Sequence, residues 1–237
     1  MKAIWRAFGS FVVKIRNDFM LAACLFTPVL MGLVYMFVIP VLEEFLSARF
    51  PNLTALTPYY LMLDLMLLIL TSVIFAFSGI MVILGELDNG TAKYLMVTPL
   101  GKKGYLVSRI GIPMVISTFY GVLALMVFKL SDISLVMIVI CALLSGIISI
   151  VISLLVISIA KNKLEGMALT KLSGFIILGL PVAFFITSPI GYMTGILPSF
   201  WVAKLAITEN GLFIIPYIGI TLLWSGVLYR KFNAKLF

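Results

Sequence analysis

The chain has 237 residues, 63% hydrophobic and 11% charged, whereas a soluble domain carries roughly 45–50% apolar and about 25% charged residues. A mean hydropathy of +1.23 excludes an ordinary water-soluble globule and makes lipid the expected solvent. The net charge of +8 comes from 17 Lys and Arg scattered over several short connectors rather than gathered on one basic face, so no nucleic-acid partner is expected. There is no histidine, and the two cysteines, Cys24 and Cys141, stand far apart inside apolar runs. Neither a disulfide framework nor a Cys/His metal site is available.

In chain order, residues 1–18 place Ile4, Phe8, Phe11, Val12 and Ile15 at helical spacing with most basic residues off that stripe, the pattern of an amphipathic helix lying in the membrane interface. Lys14, Arg16 and Asp18 interrupt what a signal peptide would need as an apolar core, so the N-terminus is expected to be retained. Residues 19–237 read as one all-α transmembrane domain of six spans, at about 19–42, 59–84, 105–128, 133–160, 172–190 and 212–229. Each run is long enough to cross a bilayer at about 20 residues per helix. Little chain remains for a soluble domain, so any enzyme that works with these spans is expected on a separate polypeptide. Pro28, Pro113, Pro181 and Pro216 fall inside spans, where neighbouring helices can satisfy the carbonyls they free. If the N-terminal tail is inside, all of the 17 Lys and Arg except Arg49, Lys129 and Lys204 fall on the inner side. The positive-inside rule then puts both termini in the cytoplasm.

The second connector, GELDNGTAKYLMVTPLGKKGYLVSR over residues 85–109, is the longest inner loop. Asp88, Asn89 and Gly90 signal a turn, Thr91 is placed to cap a short helix carrying Tyr94, Leu95 and Met96, and Pro99 and Gly101 end it. Such a helix suits the cleft of a cytoplasmic partner, or it is a capped connector with no partner; spacing alone does not choose. Asp64, near the outer end of the second span, reads either as a capping or hydrated acid or as a residue lining a pathway. Ser145, Ser149 and Ser153 recur every fourth residue beside Ala142 and Gly146, which favours close helix packing, including a dimer seam, or a polar stripe toward a transported molecule. Asn52, Leu53 and Thr54 form an N-x-T sequon, expected to be coincidental. With no histidine, serine–histidine, glutamate–histidine and zinc–histidine hydrolytic sites are excluded. An ion-coupled secondary transporter remains the alternative, although such proteins usually carry ionisable residues near mid-membrane.

The sequence resembles the type 2 ABC transporter permeases. The resemblance rests on the acidic Glu86, then Gly90 and Thr91, the apolar stretch Tyr94 to Val97, Thr98 and Pro99, and the basic Arg109 at the start of the next span. A second similar element is the connector KNKLEGMALTK, with Lys163, Glu165 and Gly166; a weaker third is ILPSFWVAKLA over 196–206, similar to a segment that partly re-enters the membrane. The resemblance implies a permease subunit of a bacterial or archaeal inner-membrane exporter that moves a hydrophobic or amphiphilic drug, peptide or lipid. Two ATP-binding subunits and a second permease, identical or homologous, would complete it. ATP and magnesium would sit on the partner ATPase, since this chain has no phosphate loop. The implied ATPase contacts are Glu86, Asp88, Gly90, Thr91, Tyr94, Leu95, Pro99, Lys163, Glu165 and Gly166.

Overall fold

A computed structural model describes residues 2–49, 56–186 and 188–236; the Asn52–Thr54 sequon lies outside them. Those residues are helical, with no strand among them. Helix α1 (Lys2–Asn17) is followed by α2 (Phe19–Arg49). Asp18 separates the two, and its carboxylate accepts the Leu21 N–H at 3.3 Å, as an N-cap residue does three positions into a helix. The chain continues through α3 (Tyr60–Asp88), the short α4 (Thr91–Val97), the helical run α5 (Gly101–Phe128), α6 (Leu135–Ile159), the run α7 (Lys163–Phe185), α8 (Pro198–Thr208) and α9 (Ile214–Leu236). Six of these helices are long and apolar enough to cross a membrane: α2, α3, α5, α6, α7 and α9.

The bundle is organised around α3 and α6, which pack along each other and are flanked by α2 and α5 on one side and α7, α8 and α9 on the other. Leu65, Leu67, Leu68 and Ile69 of α3 and Cys141, Ile148, Ile152 and Val156 of α6 form its interior. Small residues permit close approach: a Cβ on Gly79 would lie 2.7 Å from the backbone oxygen of Arg109 in α5. That oxygen belongs to a single π-helical turn, Val107–Gly111, inside an otherwise α-helical run. Such turns widen a helix locally and often sit at functional places.

Several elements differ from the sequence reading. The connector before the fifth span is not a loop: α7 begins at Lys163, because Asn162 accepts the Glu165 N–H at 2.8 Å and Glu165 accepts the Lys161 N–H at 2.8 Å. Polar side chains that satisfy the free N–H groups of a first turn start a helix where hydropathy is still low. The fifth crossing is also interrupted by a 3-10 stretch, Ser173–Leu178, and ends at Phe185, ahead of a second 3-10 stretch at Pro189–Ile196. Helix α2 runs through Pro28 and Pro40 to Arg49, beyond the apolar run that marked it. The stretch around Phe200 forms α8, whose Phe200, Val202, Ala203 and Leu205 are buried.

Candidate functional site

The two loops singled out by sequence come together at the basic end of the bundle. Gly90 takes the left-handed conformation (φ 69°) that closes the turn after α3, a backbone region open to glycine at little cost. Thr91 is therefore the first residue of α4 and not its cap; its hydroxyl donates to the Glu86 carbonyl at 3.2 Å. Helix α4 turns Ala92 and Met96 inward and leaves Tyr94 and Val97 outside, 74% and 84% exposed, with Leu95 half-buried and Pro99 exposed behind them. The Asp88 carboxylate accepts the Lys163 backbone N–H at 2.9 Å. This bond fastens the start of α7 to the turn that carries α4, and beside it Leu164 projects 77% exposed.

Two residues expected to touch a partner are instead interior. Glu86 is 1% exposed, because α3 continues past the apolar run and keeps Glu86 on the buried face below Gly79 and Ile83. Its carboxylate accepts from Arg109 Nη2 at 2.7 Å and Nε at 3.2 Å, from Lys14 Nζ at 2.7 Å and from the Tyr105 hydroxyl at 2.8 Å. Gly166 is also buried, and a Cβ there would land on the Leu84 side chain. Glu86 and Gly166 thus lie inside the two loops, whereas Asp88, Thr91, Tyr94, Val97, Pro99 and Leu164 are exposed on them.

Arg109, wholly buried, also donates through Nη1 to the Ala7 carbonyl at 2.5 Å and through Nη2 to the Ser10 hydroxyl at 3.2 Å. One guanidinium therefore joins α1, α3 and α5, and it lies 5.6 Å from the Phe11 ring centroid. A buried ion pair is tolerated when both partners are fully hydrogen-bonded, and four donors on one carboxylate meet that condition. Sequence pointed to Glu86 and Arg109 separately but not to Lys14 or Tyr105; the available signal was that Lys14 lies off the apolar stripe of α1. Nearby, Lys163 Nζ meets Asp18 at 3.1 Å. Partial burial works to raise the Asp18 carboxyl, but the hydrogen bond and charge of Lys163 and the Leu21 N–H outweigh it and hold the pKa below 3.8.

The remaining candidates are internal. Asp64 accepts the backbone N–H groups of Leu130 at 3.0 Å and Ser131 at 2.9 Å, together with the Ser131 hydroxyl. It caps the turn after α5. Ser149 and Ser153 donate to the carbonyls of Gly146 and Ser149 within α6, and a Cβ on Gly146 would meet Thr118 and Met114 of α5. That stripe packs within the chain, with Ser145 Oγ left unpartnered among the described residues. No cluster of three or more His, Cys, Asp or Glu that could hold a metal is present among the described residues.

A six-crossing helical bundle that displays a short, apolar-tipped helix at its basic end is the arrangement expected of an ABC export permease. The chain belongs to the family described as Fluoroquinolones export permease protein Rv2686c-like, which matches residues 11–231. Two Mycobacterium tuberculosis proteins, the Fluoroquinolones export permease proteins MT2760 (strain CDC 1551 / Oshkosh) and Rv2686c (strain ATCC 25618 / H37Rv), are each 30% identical to it over 230 residues. The alignment covers 92% of this chain and 89% of each relative. No solved structure matches. Family membership makes the chain a multi-pass membrane permease and implies an ABC ATP-binding partner.

Proposed function

We propose that two copies of this permease, or one copy with a homologous chain, export an aromatic amphiphile of the fluoroquinolone type named for its relatives. Two ATP-binding subunits supply the work. The basic end of the bundle faces the cytoplasm of a bacterial or archaeal cell, following the positive-inside bias, and α1 lies in the inner interface. The chain hydrolyses nothing; ATP and magnesium belong to the partner. The observation that carries the reading is the exposed group Tyr94, Val97 and Leu164 standing on two loops fastened by the Asp88–Lys163 bond. Large apolar side chains that stay in water at the end of a tightly tied helix form a docking surface. Closure of the ATP-binding pair moves α4, and Glu86 passes that movement to α1 and α5 through Arg109. ATP shifts the equilibrium between the two arrangements only by its unequal affinity for them.

The test is co-purification in detergent with the ATP-binding subunit. Wild type brings the subunit down, and Tyr94→Asp combined with Val97→Asp loses it while the permease stays monodisperse. Loss of one apolar anchor costs about 2 kcal/mol, roughly thirtyfold in Kd. A double variant that still binds and still supports ATP-driven efflux would refute the docking assignment. Labelling a cysteine at position 94 in intact cells with an impermeant reagent would refute the orientation.

A further inference from the structure

The carbonyls of a helix's last turn have no partner inside the helix. At the basic end of α6 they are also shut away from water, since Ile157 and Ala160, either side of the helix end at Ile159, are wholly buried. Lys235 of α9 answers them: its ammonium donates to the Ile157 carbonyl at 2.6 Å and to the Ala160 carbonyl. A cation at this place also meets the negative end of the α6 dipole. The lysine is delivered by a packed helix rather than by a loose tail. Leu228 and Phe232, two turns and one turn before Lys235 on the same face of α9, are buried. Farther back, the Tyr217 hydroxyl donates to the Leu144 carbonyl of α6 at 2.5 Å.

Only Lys161, Asn162 and Lys163 lie between Ala160 and the exposed Leu164. Their polar groups are already committed: the Lys161 N–H donates to Glu165, the Asn162 side chain accepts the Glu165 N–H, and the Lys163 N–H donates to Asp88. A connector with so little slack passes the position of the last turn of α6 directly to the first turn of α7. The other ties at this place are weaker. Asp88 is exposed, and Lys163 and Asp18 are 34% and 30% exposed in their ion pair, where water screens the attraction and little stability comes from it. A buried carbonyl that loses its donor keeps the whole cost of its desolvation, so the Lys235 bonds hold this end hardest. We propose that Lys235 is a positioning residue for the docking surface. By fixing the end of α6 it sets where Leu164 meets the ATP-binding subunit, and it makes α9 a second path, beside the Arg109 cluster, by which closure of that subunit enters the bundle. The proposal rests on the docking reading above and deepens it.

The experiment is a double-mutant cycle on the Kd at which the purified permease–ATPase complex dissociates on dilution, without nucleotide. Lys235→Met removes the ammonium but keeps an apolar stem over the carbonyls; Lys235→Gln is measured in parallel should the Met variant misfold, with monodispersity and the thermal midpoint reporting folding. Leu164→Ala and Lys235→Met should each weaken the complex about fivefold or more. Their combination should be no more than about twofold weaker than Leu164→Ala alone, because a positioning residue has nothing left to position. Combined with Tyr94→Ala, on the other loop, Lys235→Met should instead multiply the losses. Lys235→Arg keeps the cation and its donors and should return to within about twofold of wild type. A general loss of stability would lower the midpoint without this pattern. A wild-type Kd in a folded Met or Gln variant overturns the role, as do losses that multiply with Leu164→Ala or an Arg variant as weak as Met. A wild-type Kd for Leu164→Ala, with Tyr94→Asp and Val97→Asp still abolishing binding, also overturns it and leaves docking on α4 standing. Binding that survives Tyr94→Asp with Val97→Asp defeats the docking reading itself.

Discussion

Replacing Arg109 with Leu tests whether the buried charge cluster holds the basic end of the bundle together. The substitution removes both guanidinium bonds to Glu86 and the bonds to the Ala7 carbonyl and the Ser10 hydroxyl. Breaking a buried ion pair costs about 3–5 kcal/mol. Glu86 keeps Lys14 at 2.7 Å and Tyr105 at 2.8 Å, which places the loss at the low end, ~3 kcal/mol. At about 2–4 °C per kcal/mol for a chain of this size, the unfolding midpoint in detergent should fall by roughly 6–12 °C. Arg109→Lys keeps the charge but loses the planar fork and should fall between wild type and Leu. In a double-mutant cycle, Glu86→Gln added to Arg109→Leu should cost less than the sum of the two by about 1 kcal/mol or more. A midpoint within about 2 °C of wild type for Arg109→Leu, or strictly additive losses in the cycle, would refute the bracing role.

Asp64→Ala strands two backbone donors and the Ser131 hydroxyl and should cost about 2–4 kcal/mol, since each unsatisfied buried donor costs about 1–3; Asp64→Asn keeps an acceptor oxygen and should recover most of it. Normal stability with abolished export in Asp64→Ala would return that residue to the pathway. Gly79→Ala drives a methyl against the Arg109 carbonyl, a backbone atom that cannot turn aside, and should destabilise by about 1–3 kcal/mol, read as the same thermal midpoint. The Asp18 carboxyl is held below 3.8, so the Asp18–Lys163 tie contributes fully above that value and is lost as pH falls through the lowered one. Hydrogen-exchange protection in the first turn of α7, taken relative to the intrinsic exchange rate at each pH, should therefore fall at low pH in wild type and change less with pH in Asp18→Asn.

The all-α class was legible because it depends on hydropathy summed over some twenty residues, a signal that single polar residues do not erase. The helix of the second connector was legible for a different reason: Asn89, Gly90 and Pro99 are local stops whose conformational limits need no tertiary context. Packing hid the rest. Asp64 left two readings open, and nothing local in the sequence signals that Leu130 and Ser131 approach it from a turn 66 residues away. The start of α7 was missed because hydropathy cannot register an Asn–Glu capping pair. Glu86 is the most instructive case, because composition treats a charged residue in a loop as exposed. Helical periodicity carries a different message: Gly79, Ile83 and Glu86 fall on one face, so a helix that runs on to Asp88 buries Glu86 and exposes Asp88. The two neighbouring acids are thereby given separate work. Asp88 joins one loop to the other at the surface, and Glu86 joins the end of α3 to the Arg109 cluster that also holds α1 and the π-helical turn of α5, which is the route by which the proposed displacement of α4 would reach the interior.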